Sequence, residues 1–292
     1  MGKLPKLRKC VQALSALLQN PHLSGLFTGR LYTGGLKRFC VPGMNCYACP
    51  AAAGACPMGA LQALLGGRRA KPGLWVLGFL AAVGLLLGRF VCGWLCLFGL
   101  LQELLYKIPV KKWRVPRRTD KILRHLKYVL LAVFVVLLPL LLRDPSGSGD
   151  PWYCKYVCPV GVLEGAVPLM LADRALRAAA RWLFAWKLAI LGAVLVLSVF
   201  IHRPFCRYLC PLGAFYSLFQ KCSLLQLRAD EAKCVRCGRC AGACKMGVDP
   251  RKTPNGAECI RCGACVDACP AGALSFRFIK TMKKDGPYHE KD

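Results

Sequence analysis

The chain has 292 residues, 55% of them hydrophobic and 19% charged, with 42 basic against 14 acidic side chains and a net charge of +28. This composition leans away from an ordinary soluble domain and towards the bilayer. A basic surplus of that size suits nucleic acid, anionic lipid or a bound acidic cofactor. No groove-reading motif and no basic ladder interleaved with aromatics is present, which argues against nucleic acid.

Twenty of the residues are cysteine. A disulfide scaffold is not expected. The first strongly apolar run begins near Leu74, too late for a secretory signal. The cysteine spacings are also those of metal ligands.

In chain order, residues 1–70 form a cysteine-rich segment expected at the membrane interface. It carries Cys40-Val-Pro-Gly-Met-Asn-Cys46-Tyr-Ala-Cys49-Pro50 and then Cys56-Pro57, so Cys40, Cys46, Cys49 and Cys56 are candidate ligands. Cys10 and Cys222 stand alone and read as bystanders.

Residues 71–225 read as a membrane domain built on three apolar runs. Leu74–Gly88 is uncharged and resumes beyond Arg89 to Gln102; Tyr128–Leu142 is uncharged; Leu188–Ile201 is uncharged. Each is short against about 20 spanning residues, but flanking Lys and Arg can snorkel to the headgroups. The bland alternative is three core helices of a soluble protein, which would leave that protein little polar surface.

Each run leads into one signature: Cys92-Gly-Trp-Leu-Cys96-Leu-Phe-Gly99, Cys154-Lys-Tyr-Val-Cys158-Pro-Val-Gly161 and Cys206-Arg-Tyr-Leu-Cys210-Pro-Leu-Gly213. One such pair could be packing cysteine. Three in equivalent places form an internal repeat and point to ligands. Arg89, Lys155, Arg203 and Arg207 beside the pairs suit a buried anionic cluster.

A short apolar stretch follows each pair, the length of a half-helix. Basic residues precede every run: Arg68, Arg69 and Lys71; Lys121, Arg124 and Lys127; Arg174, Arg177 and Arg181. Placing all of them in the cytoplasm predicts three helix–loop–half-helix repeats, with the chain returning after each motif and the membrane clusters deep in the bilayer or near its outer face. The rival is a set of simple spans.

Residues 226–280 repeat one motif twice: Cys234-x2-Cys237-x2-Cys240-x3-Cys244, then Cys259-x2-Cys262-x2-Cys265-x3-Cys269-Pro270. This is the spacing of a bacterial two-cluster ferredoxin, whose fourth cysteine crosses to the other cluster. Cys234, Cys237, Cys240 and Cys269 are expected to hold one cluster, and Cys259, Cys262, Cys265 and Cys244 the other. Gly238 and Gly263 suit a loop with left-handed backbone. A pair of zinc ribbons would need separate sets of four rather than an overlapping eight. Residues 281–292 form a tail. The expected fold is a mainly α membrane domain of helix plus half-helix repeats, followed by a small α+β two-[4Fe–4S] ferredoxin-like domain.

On these residues the chain resembles the NapH/NosR-type membrane polyferredoxins over about residues 25–275. Cys92–Gly99 is similar to the family's C-G-W-L-C-P-F-G, with Leu97 in place of proline. The N-terminal C-x5-C-x2-C-P block resembles a subgroup of bacterial 4Fe–4S binding proteins. The resemblance implies electron transfer between the quinone pool, or a soluble carrier, and a partner redox enzyme. It implies a subunit rather than an enzyme by itself, in the bacterial cytoplasmic membrane, with the ferredoxin facing the cytoplasm. Two alternatives are a metal-reducing assembly factor of the CcoG kind and a structural anchor for a reductase.

Two clusters are expected in the ferredoxin. Two more are expected among the ten upstream cysteines, leaving two thiols idle. The lipid bilayer, a redox partner protein and a quinone are the expected partners. The quinone is suggested by Trp94, Trp152, Tyr153, Tyr156 and Tyr208, which also suit an aromatic belt at the headgroups.

Overall fold

The computed structural model describes residues 3–67, 74–113, 115–145, 147–179 and 182–278. Arg68, Arg69, Lys71, Arg181 and the tail lie outside them. The principal helices are α1 (Lys3–Gln19), α2 (Pro57–Leu65), α3 (Leu74–Leu87), α4 (Leu97–Leu105), α5 (Arg117–Leu141), α6 (Pro159–Ala172), α7 (Trp182–Phe200) and α8 (Pro211–Leu218). Two strands, β1 (Leu225–Ala229) and β2 (Leu274–Phe278), pair antiparallel with Leu227 opposite Phe276 and bracket both C-terminal cysteine runs.

α5 and α7 are long and apolar enough to cross a membrane. At 1.5 Å per residue they reach roughly 37 and 28 Å, against a hydrocarbon core of about 30 Å. α3 and α6 are apolar but shorter. α5 runs through a π-helical stretch at Leu130–Leu137, and α6 through another at Val162–Ala166.

The short helices share one start. Cys56, Cys96, Cys158 and Cys210 have φ/ψ of −65/127, −81/117, −68/111 and −79/112°, all extended, and the next residue opens a helix. Proline belongs at such a first helical position because the N–H it lacks has no intrahelical partner. Leu97 adopts the same geometry without it.

The long helices alternate in direction. The start of α5 meets the ferredoxin region, with Arg124 donating to the Met246 carbonyl and Lys127 paired with Glu258. The end of α7 lies at the same level, since Trp113 N–H, just before α5, bonds the Phe200 carbonyl. The start of α7 is at the opposite end, where Lys187 donates to the Cys154 carbonyl and Trp186 to the Tyr156 carbonyl. α4 also stays on the ferredoxin side, with Lys245 stacked over Tyr106.

The return of the chain after each motif is therefore corrected. The short helices pack against the long ones and do not carry the chain back, so Lys121–Lys127 and Arg174–Arg177 stand at opposite ends. At 1.5 Å per residue α4 and α8 reach roughly 12–14 Å and α6 roughly 21 Å, short of the length of α5 and α7.

Candidate metal-cluster sites

The C-terminal cysteines form two pockets. One is lined by Cys234, Cys237, Cys240 and Cys269, the other by Cys244, Cys259, Cys262 and Cys265. The two loops are built alike. Arg236 and Arg261 have φ of 53 and 51°, and Gly238 and Gly263 have φ of 75 and 80°. Successive left-handed residues curl each loop around its pocket; glycine does this freely and arginine only under constraint. Burial, together with the neighbouring thiols, pushes Cys259 up to about 11. Four thiolates crowded there need a cationic core, and four soft sulfur donors around one pocket suit iron–sulfur.

The upstream cysteines gather into two further quartets. Cys92, Cys96, Cys206 and Cys210 face one another. Cys46, Cys56, Cys154 and Cys158 do the same. In the second quartet the chain must come close: a Cβ on Gly161 would lie 3.6 Å from Cys46 Sγ, and one on Gly59 3.8 Å from Cys154 Sγ. Among the described residues no three Cys, His, Asp or Glu converge on a single ion.

Charge around the Cys92 quartet supports the same donor chemistry. Arg89 and Arg203 are fully buried. Arg89 donates to the Cys206 carbonyl at 3.2 Å and pairs with Glu258 at 2.8 Å, and Glu258 also holds the buried Lys127. Arg203 donates to the Cys92 carbonyl and pairs with Glu103 at 2.9 Å, and Glu103 also holds Arg8 at 2.7 Å. Two carboxylates thus face four cations, and the Nε atoms of Arg89 and Arg203 have no partner. A buried surplus of two positive charges is costly alone. Four thiolates on an oxidised [4Fe–4S] core carry about −2, which offsets it.

The four quartets lie in sequence. Gly93 of the Cys92 loop packs on the second ferredoxin loop so closely that a Cβ would sit 2.2 Å from the Ile260 carbonyl oxygen. Trp94 Nε1 bonds the Arg261 carbonyl at 2.9 Å, and Gln220 Nε2 bonds the Cys259 carbonyl at 2.8 Å. Between the two upstream quartets, Met44 Sδ touches Cys210 Sγ at 3.4 Å, and the Tyr153 hydroxyl donates to the Leu209 carbonyl at 3.2 Å.

Cys40 and Cys49 lie at the edge of the second quartet, Cys49 beside Cys46. Cys40 lies beside Cys56. Cys49 sits by Asn20, and its carbonyl accepts from Lys37. Of the aromatics singled out above, Trp94, Tyr153 and Tyr208 are buried and bonded to protein groups, Tyr208 to Asp120. Trp152 and Tyr156 stack on each other near the surface by Cys154, which is half-buried.

The motif reading missed a fourth copy of the repeat. Cys56-Pro-Met-Gly59 matches Cys158-Pro-Val-Gly161, but Ala52 stands where the first cysteine of the pair would be, and Cys46 supplies the thiol. The Cys-Pro-x-Gly signal was present; the lost first cysteine hid it.

A 4Fe–4S binding domain model matches residues 54–75, 71–116, 126–167 and 183–228, just over half of the chain and all four copies. A second 4Fe–4S binding domain model matches residues 254–275. The chain is 34% identical to the uncharacterized protein MJ0750 of Methanocaldococcus jannaschii over 56% of this chain and 61% of that one. It is 31% identical to MJ0749 of the same organism over 72% and 71%. It is 35% identical to the regulatory protein NosR of Pseudomonas aeruginosa over 59% of this chain and 22% of NosR. The chain thus spans less than two thirds of MJ0750 and of NosR. No solved structure matches it.

Proposed function

The chain belongs to the NapH/NosR-type family of 4Fe–4S electron-transport proteins, and from that premise we propose that it relays single electrons along four [4Fe–4S] clusters between a soluble or partner redox protein and the quinone pool. The observation that carries this is the end-to-end order of the cysteine quartets, whose loops touch at Gly93–Ile260 and at Tyr153–Leu209. The ligands are the eight ferredoxin cysteines, the Cys92, Cys96, Cys206 and Cys210 quartet, and the Cys46, Cys56, Cys154 and Cys158 quartet. When bound, each cluster supplies a reversible one-electron centre.

The chain's own groups set the ends of the line. Cys237 and Val235 are exposed beside Arg236 and Arg239, which favours an acidic carrier protein at the outer ferredoxin pocket. At the far end, half-buried Cys154 with Trp152, Tyr156 and Trp186 around it suits a quinone. Residues 107–127 carry nine Lys or Arg, and Trp113, Arg124 and Lys127 among them lie on the ferredoxin side. The positive-inside rule therefore puts that side in the cytoplasm of a bacterial inner membrane.

Anaerobic analysis is expected to find about sixteen iron atoms per chain, four per cubane; about eight would leave the upstream quartets empty. Reduced protein in liposomes is expected to be reoxidised by added quinone. A reporter placed in residues 144–150 or beside Arg177 should read outside the cytoplasm, and one after Asp292 inside; the reverse would overturn the orientation.

A further inference from the structure

Six residues after the second cysteine of the first two repeats stands a glutamine: Gln62 after Cys56 and Gln102 after Cys96. Both are fully buried. Each reaches across to a distant repeat and makes the same contacts there. Gln62 Nε2 donates to Cys154 Sγ at 3.2 Å, and its Oε1 accepts the Tyr153 N–H at 2.9 Å. Gln102 Nε2 donates to Cys206 Sγ at 3.2 Å, and its Oε1 accepts the Phe205 N–H at 3.1 Å. The second N–H of each amide goes to its own helix, to Met58 O at 3.2 Å and Phe98 O at 3.1 Å.

This network fixes the amide orientation. A flipped amide would set oxygen against a carbonyl and a thiolate, and nitrogen against an N–H. The contacts also state which repeats pair: the first repeat grips the third, and the second grips the fourth. At the same offset the last two repeats carry Glu164 and Tyr216, which turn to the N-terminal block instead. Glu164 accepts the Cys46 N–H at 2.8 Å, and the Tyr216 hydroxyl donates to the Pro42 carbonyl at 2.9 Å. Each upstream quartet thus holds one cysteine sulfur that receives a side-chain amide.

We propose that Gln62 and Gln102 are positioning residues for electron transfer, each fixing one ligand sulfur by an N–H···S bond and raising the reduction potential of its quartet. The inference rests on the quartets assigned above. An electron added to a cluster places more negative charge on the ligand sulfurs, so a donor there favours the reduced form. The amide also ties the ligand's backbone through the N–H of the preceding residue, so the sulfur is held from two points.

The test uses the full chain, purified anaerobically in detergent, with EPR-monitored redox titration. Gln62→Met and Gln102→Met keep side-chain length and remove the donor; Gln102→Glu keeps the acceptor for the Phe205 N–H should the methionine variant assemble poorly. Iron is expected to stay near the wild-type content. One potential should fall in each variant, and a different one for Gln62 than for Gln102. In the unmutated protein labelled with side-chain ¹⁵N-glutamine, pulsed EPR is expected to detect the label coupled to the reduced clusters. Full iron content with every potential unmoved, or no coupled ¹⁵N in the wild type, would overturn the proposal. Wild-type iron near eight would instead sink the ligand assignment itself, so the two failures are told apart.

Discussion

The two upstream quartets are built from one repeat, yet their surroundings differ in charge. The Cys92 quartet lies between Arg89 and Arg203, each sharing a carboxylate with a second cation. Among the described residues no guanidinium donates to the carbonyls of the Cys46 quartet. That quartet has the amine of Lys187 on the Cys154 carbonyl and the carboxyl of Glu164 on the Cys46 N–H. A shared backbone frame thus makes both sites, and the side chains around it set them apart. Positive charge favours the more negative, reduced form, so the quartet next to the ferredoxin is expected to have the higher potential of the two. Electrons would rest there and pass uphill to the Cys46 quartet.

Removing a ligand breaks this comparison most severely. Cys206→Ala and Cys154→Ala are each expected to cost about four iron atoms per chain, while Cys40→Ala and Cys49→Ala leave the iron unchanged; anaerobic iron and sulfide assay checks both. Loss of iron on replacing Cys40 would reassign the second quartet.

Next in size is the charge around the Cys92 quartet. Arg203→Met takes away one buried cation and leaves Glu103 with Arg8. The potential of that quartet is expected to fall, with the Cys46 quartet unmoved, in an EPR-monitored titration. Glu103→Gln should move the same potential upward. Equal shifts at both quartets would mean that the charge acts through the whole domain and not locally.

Tyr153 tests the connection and not the ends. Tyr153→Ala removes the ring and the hydroxyl between the quartets. Flash-reduction kinetics should then slow between the two quartets while both potentials hold nearly still. Tyr153→Phe, which loses only the bond to Leu209, should slow transfer less.

The smallest expected effect is at Leu97. Its preceding cysteine already has the backbone that proline demands, and the three sister positions are Pro57, Pro159 and Pro211. Leu97→Pro is expected to stabilise the chain by about 0.4–1 kcal/mol through the unfolded state, read as a raised midpoint in thermal unfolding. A lowered midpoint would mean that packing by the Leu97 side chain outweighs the backbone gain.

Much of this was legible from residues alone. The doubled C-x2-C-x2-C-x3-C run determined the ferredoxin pockets, because a local loop can wrap only nearby thiols, and Gly238 and Gly263 stand where the backbone turns left-handed. The C-x3-C pairs and the cations beside them likewise pointed to cysteines buried next to Arg89 and Arg203. The pairing of the upstream cysteines was not legible. Cys92 and Cys206 are 114 positions apart in the chain, and no spacing rule connects repeats that pack first with third and second with fourth. Nor could sequence decide that the short helices stay where they start. Basic residues precede every long helix, and charge alone cannot distinguish a returning half-helix from an alternating span. Both depend on packing: a helix direction follows from which ends touch, and the grouping of distant cysteines follows from which loops meet in space.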